Sequence, residues 1–134
     1  MSRNQPNASK IIKKRLEKDL DDLWSKIVHK QWGETCAWPG CKHTTRLAAH
    51  HYFHRSGGSK ARWNINNGIL LDFFHHFHEV HQRGNVEPIR DVLIQRLGID
   101  GFCNLKRDVK GAWKPTIQEL QDLKEAFRKL VSKF

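Results

Sequence analysis

Apolar positions recur at helical spacing through the first quarter of the chain. Ile12, Leu16, Leu20, Leu23, Trp24, Ile27 and Val28 share one face, which predicts a helix from about Ser9 to Trp32, with Gly33 placed to stop it. Residues 1–9 are polar, contain Pro6 and show no pattern, so fraying is expected there. Between 34 and 83 the helical rhythm is lost. Arg46–Phe53 and Gly68–Leu71 read as two short strands around a loop with Gly57 and Gly58, and a helix is expected from about Phe74. Phe73, Phe74 and Phe77 read as core beneath that helix.

The last third, 86–134, is helical again and reads as scaffold. Pro88 suits a first helical position, Ile89, Val92, Leu93 and Leu97 form a stripe, and Gly98 ends it. A short helix is expected around Leu105 and Val109. Thr116 with Glu119 forms a capping-box pattern. Ile117, Leu120, Leu123, Phe127, Leu130, Val131 and Phe134 then make an amphipathic stripe. Neither an internal repeat nor a low-complexity tract interrupts the pattern. The length fits one domain over 1–134, mostly helical α+β, with a basic N-terminal helix over 10–32.

Charge narrows the partner. The 134 residues carry 24 Lys and Arg against 14 Asp and Glu, a formal net charge of +10. Such a surplus on a small domain points to a polyanion, most simply DNA. Lys10, Lys13, Lys14, Arg15 and Lys18 crowd the start of the first helix, where a solvated face and phosphate contact are equally good explanations. Arg55, Lys60 and Arg62 occupy the loop between the strands and are expected on phosphates. No apolar run reaches membrane-spanning length and no signal-peptide pattern is present, so a cytoplasmic setting without membrane contact is expected. Three cysteines, an odd number, fit a reducing compartment in which the close pair Cys36 and Cys41 reads as metal ligands. Cys103 stands alone and reads as a packed small residue.

Eight of the nine histidines fall between 34 and 83. Neighbours on a strand face opposite sides, so His50 and His51 can divide two duties only where the strand bends or ends. Asn67 opens the second strand and His76 lies near the start of the helix. This His–Asn–His order across strand, loop, strand and helix is the layout of a ββα-metal finger. The helical segment His78-Glu79-Val80-His81 superficially suggests a zinc protease, but it lacks one residue of the required spacing.

The stretch Ala49-His50-His51, Asn67-Gly68-Ile69-Leu70-Leu71, His75-His76 and His81 resembles HNH endonucleases, especially small phage-encoded ones. Cys36-Ala37-Trp38-Pro39-Gly40-Cys41 resembles their first cysteine pair, and 110–116 with the final helix resembles their tail. The resemblance implies a metal-dependent DNA endonuclease. His51 would be the general base, a task suited to a group titrating near neutrality. His50 and His76 would hold one divalent ion (magnesium, manganese, nickel or zinc) that steadies charge at the scissile phosphate. Asn67 would orient the His51 loop. His81 matches a position that sometimes adds a ligand, although five residues along an ideal α-helix do not share a face with His76. Relatives carry a second cysteine pair where this chain has Asp72 and His75. A structural zinc on Cys36, Cys41, Asp72 and His75 is chemically reasonable, with His43 and His54 as substitutes for the fourth ligand. The resemblance also implies phage biology alongside terminase or recombination proteins. One active site per chain cuts one strand at a time, which a monomer suffices for, whereas a double-strand break needs a dimer, a partner or two visits. The main rival is a zinc-stabilised DNA-binding module without catalysis, which has no need of His50, His51, Asn67 and His76 together.

Overall fold

The computed structural model describes residues 7–55 and 59–134. The expected fraying of 1–6 and the Gly57-Gly58 turn lie outside those residues. Helix α1 spans Ala8–Gln31 and starts earlier than its apolar stripe, because the Asn7 side chain accepts a hydrogen bond from the Ser9 N–H at 2.9 Å. Residues 7–9 are therefore a helix cap rather than a frayed end. Gly33, with φ of 63°, takes the left-handed conformation that closes the helix.

Strand β1, Leu47–His51, pairs antiparallel with β2, Gly68–Asp72, in a two-stranded sheet that sets His51 opposite Gly68 and His50 opposite Ile69. A single helical turn, α2 (Ser59–Arg62), and a 3-10 turn, Ile65–Asn67, fill the connection. Strand β2 is buried along its whole length because both faces are covered. Leu70 enters a core formed with Leu16, Leu20, Trp24, Ile27, Val28, Leu120 and Phe127. Ile69 and Leu71 enter a second cluster with Cys36 and Ile89. That explains the unbroken apolar run of β2. A Cβ at Gly68 would collide with Val28 Cγ2 and crowd Trp24, so only glycine lets α1 pack directly on the strand. The Trp32 indole N–H donates to the Gly68 carbonyl at 2.9 Å in the same contact.

After β2 the chain forms a π-helix, His75–Gln82. Helix α3, Glu87–Asp108, follows with Pro88 in its first turn and a break at Gly98 (φ 77°, ψ 164°). The short helix expected near Leu105 is the second half of this element, and Leu105 is buried. Helix α4, Ile117–Ser132, carries both hydrogen bonds of the Thr116–Glu119 capping box and packs along α1. Lys124 pairs with Asp19 at 2.9 Å across that contact. The fold is a mostly helical α+β arrangement with a ββ-helix unit at its centre. Among the described residues no helix is long and apolar enough to cross a membrane.

Four apolar expectations fail. Ile12, placed on the apolar face of α1, is 48% exposed, because the core contacts of that helix begin only at Leu16. Phe73, Phe74 and Phe77 are 58%, 53% and 42% exposed, because the inward side of the π-helix is taken by His75 and Val80 over a core already filled by Ile69 and Leu71. Cys103 is exposed rather than packed. Phe134 lies beyond the end of α4 and is likewise exposed.

Candidate active site and metal centres

His51 ends β1. Its ring lies flat on the Trp24 indole, centroids 3.9 Å apart and planes 3° apart. Its Nε2 is 2.7 Å from the Arg62 carbonyl oxygen. A carbonyl can only accept, so Nε2 carries the ring proton and Nδ1 keeps its lone pair. Burial lowers the proton affinity of His51 below that of a free imidazole. The Arg55 and Arg62 charges push the same way, while the Arg62 carbonyl and Asp21 oppose them.

The carbonyl that fixes this tautomer is itself held by α1. The Arg62 guanidinium makes a two-pronged contact with Asp21 at 2.9 and 2.7 Å and a further bond to Glu17 at 2.9 Å. The Trp63 indole donates to Asp21 at 2.9 Å, and the Trp24 indole donates to the Asn64 carbonyl at 2.8 Å. Instead of the expected phosphate contact, the Arg62 side chain is committed to these carboxylates. Arg55 is about half exposed and only 3.5 Å from Asp21. Lys14 and Lys60 are exposed, and Lys13 shares a groove with Glu17 and Arg62.

Asn67 is fully buried. Its Oδ1 accepts from the Phe53 N–H at 2.8 Å, and its Nδ2 donates to the carbonyls of Phe53 and Ala61 at 2.9 and 3.1 Å. One side chain thus ties together both ends of the loop that carries Arg55 and Lys60. Leaving such a buried amide unpaired would cost roughly 1–3 kcal/mol.

His50 and His51 line a cleft of about 370 Å³ together with Arg55, His76 and His81. The His50 and His76 rings stack at 3.4 Å. His76 Nε2 and His81 Nε2 are 2.7 Å apart. That proximity reverses the objection drawn from α-helical spacing. The segment is wound with i to i+5 hydrogen bonds, as in the Arg83 N–H to His78 carbonyl contact of 3.1 Å, so positions five apart share a face. Burial, with the neighbouring imidazoles His76, His81 and His51, pushes the His50 value down to about 3. His76 is lowered by burial and by His81. Among the described residues His50 Nε2 is the buried side-chain nitrogen with no hydrogen-bond partner. An unpartnered nitrogen on a neutral imidazole, beside two further imidazoles, suits a divalent transition metal. These three are gathered by ring contact rather than by convergence of their nitrogens on one point.

The second cluster does converge. One donor atom from each of Cys36, Cys41, Asp72 and His75 lies within 4.8 Å of the other three. Cys36 Sγ is 3.7 Å from His75 Nδ1, and Cys41 Sγ is 3.3 Å from Asp72 Oδ2. Those separations match the edges of a zinc tetrahedron, about 3.3–3.8 Å for zinc–sulfur bonds of about 2.3 Å and zinc–nitrogen or zinc–oxygen bonds of about 2.0 Å. The Cys41 thiol is pushed up to about 11, chiefly by burial and also by Asp72 and Cys36. A thiol so raised becomes a good thiolate ligand once a cation replaces its proton. His43, one of the substitutes considered for the fourth position, instead contacts Asp72 Oδ2 through Nδ1 at 2.6 Å, the usual placement of a residue that orients a ligand from behind. His54 lines the His50 cleft rather than this cluster. Trp38 stacks on His75 at 4.6 Å.

Sequence reasoning did not anticipate Trp24, Glu17 and Asp21 as supports of His51. Trp24 was indistinguishable from any other member of the α1 stripe, and two acidic residues within a basic helix carry no pattern. Their only signal is the indole N–H of Trp24, which needs a partner when buried.

The profile of one protein family, described as Bacteriophage Lambda NinG protein, matches residues 2–134. No curated protein and no solved structure matches the chain.

Proposed function

This chain belongs to the family of the Bacteriophage Lambda NinG protein, and we propose that it is a metal-dependent DNA endonuclease that hydrolyses phosphodiester bonds. The observation that carries the reading is the state of His51. A ring clamped between Trp24 and the Arg62 carbonyl has its proton on Nε2 and a free lone pair on Nδ1, and it lines one cleft with His50, His76 and His81. In this reading His51 Nδ1 removes a proton from water. The water oxygen bonds to phosphorus, one P–O ester bond breaks, and the departing oxygen is protonated from solvent. Asn67 keeps the loop at the distance this requires, and Arg55 meets the phosphate. A divalent ion held by His50, His76 and His81, when bound, supplies charge neutralisation at the phosphate and the leaving oxygen.

The net charge of +10 supports DNA as the partner, through Arg55 at the cleft, Lys60 on the connection between the strands and Lys13 and Lys14 on α1. The Cys36, Cys41, Asp72 and His75 cluster would hold a structural zinc. A cytoplasmic setting in a bacterial host fits the free thiols. The rival reading, a zinc-stabilised DNA-binding module without catalysis, accounts for the zinc cluster and the charge. It leaves the orphaned His50 nitrogen and the fixed tautomer of His51 without a purpose. Incubation of supercoiled plasmid with the protein and a panel of divalent ions separates the two. Relaxed or linear product that EDTA abolishes supports the nuclease, and binding without cleavage under every ion supports the module.

A further inference from the structure

We propose that Phe73 and Phe77 form a stacking platform for an unpaired nucleobase. The two rings lie parallel, 5.5 Å between centroids and 6° between planes, on the solvent side of the helix that carries His76 and His81. They are more than half and nearly half exposed, an expensive arrangement for adjacent large apolar groups unless something covers them. Phe74, also exposed, borders a groove of about 260 Å³ with Phe73, Arg46, Thr45 and His43. The carboxylate in that groove, Asp72, is already engaged by His43, His75 and Cys41. The charge left for an incoming group is that of Arg46, with Lys42 exposed nearby on the same loop. Arg46 holds a left-handed backbone at φ 56°, a conformation a non-glycine residue adopts at some cost and often at functional positions.

Flat apolar faces flanked by cations match a single strand of nucleic acid, whose bases stack while its phosphates meet arginine and lysine. Arg46, which shares the groove with Phe73 and Phe74, supplies a charge complement that the phosphate beside a stacked base needs and a purely apolar protein patch does not. Bases paired inside a duplex cannot reach such a platform, so the inference is a preference for DNA with an unpaired segment. It rests on DNA being the substrate.

The test is equilibrium binding of a short fluorescein-labelled oligothymidylate, and of a labelled blunt duplex, to the zinc-loaded His51→Ala protein. The same titrations are run with Phe73→Ala/Phe77→Ala added, and with Phe73→Trp/Phe77→Trp. The alanine pair should weaken single-strand binding by about fivefold to a hundredfold and leave duplex binding unchanged, and the tryptophan pair should restore it. Equal single-strand affinity in the alanine pair overturns the platform, as does an equal loss on both DNAs. A shift from dimer to monomer on sedimentation with the alanine pair also overturns it and assigns the surface to self-association. The readout is binding in a background that does not cut. Failure of plasmid cleavage in the wild type therefore counts against the nuclease alone, and unchanged oligothymidylate binding counts against the platform alone.

Discussion

His76 and His81 are five residues apart and bring their Nε2 atoms to 2.7 Å. An α-helix would turn those side chains roughly 140° away from each other at 3.6 residues per turn. The π-wound segment His75–Gln82 undoes that separation. The same segment turns His75 to the cysteine cluster and His76 to the cleft, so one short helix serves both candidate metal centres.

If both imidazoles belong to one ion, His81→Ala should weaken binding of nickel or zinc at the cleft by about tenfold or more, since even outer-shell partners of metal ligands contribute at that level. Magnesium dependence should change less, because imidazole contributes little to binding a hard cation. Isothermal titration of the metal-stripped protein checks this. Equal affinities for the two proteins would remove His81 from the ligand set.

The two loop arginines should behave differently. Arg55→Ala should lower both DNA affinity and turnover, and flatten the slope of log affinity against log salt by about one unit. Arg62→Ala should lower turnover and stability with little change in that slope, because its guanidinium is tied to Asp21 and Glu17. Removing it leaves the Arg62 carbonyl, and so the His51 proton, less well placed. Asp21→Asn should reproduce the Arg62 phenotype in weaker form. Salt titrations beside single-turnover cleavage rates test the contrast, and a lost salt contact on Arg62→Ala would contradict it.

The expectations drawn from sequence held where local physics decides the outcome. The α1 and α4 stripes, the Gly33 stop, the Gly98 break and the Thr116–Glu119 capping box are all present in the fold. That Asn67 and His76 lie close to His50 and His51 was legible because they flank β2 on either side, and β2 pairs with the strand that carries the two histidines. What could not be read was the winding of 75–82, which no propensity encodes, and with it the exposure of Phe73, Phe74 and Phe77. The commitment of Arg62 was equally hidden, since its partners lie more than forty positions earlier in α1.

Zinc at the cysteine cluster should couple to folding. Cys36→Ser should lower stability by several kcal/mol, more than His51→Ala does, because binding energy at a structural zinc adds to folding energy. A strong chelator should lower the melting temperature of the wild type and leave Cys36→Ser unmoved. Wild type free of tightly held zinc, melting like Cys36→Ser, would dismiss the site.

The acid response follows from the lowered histidines. His50 is depressed to about 3 in the fold against about 6.5 in the unfolded chain. The unfolded state therefore binds the extra proton first, and the stability tied to neutral His50 is complete above pH 6.5 and lost as pH falls towards 3. The metal-free protein should show a melting temperature that declines below pH 6.5, with a shallower decline in His50→Ala. His51 is also lowered, so at saturating metal the acid limb of cleavage should lie below that of a free imidazole. Thermal melts and rate profiles across pH 4–8 report both, and a limb above pH 7 would count against His51 as the base.

The most direct measurement is single-turnover cleavage of supercoiled plasmid at saturating divalent ion, wild type against His51→Ala, with DNA affinity measured on the same preparations. Loss of a general base should lower the rate by about a hundredfold to ten-thousandfold, with DNA affinity close to wild type, a melting temperature lowered only by the lost Trp24 stack and Arg62 carbonyl bond, and no product in excess EDTA. Equal rates for the two proteins, or undiminished cutting without metal, would contradict the account.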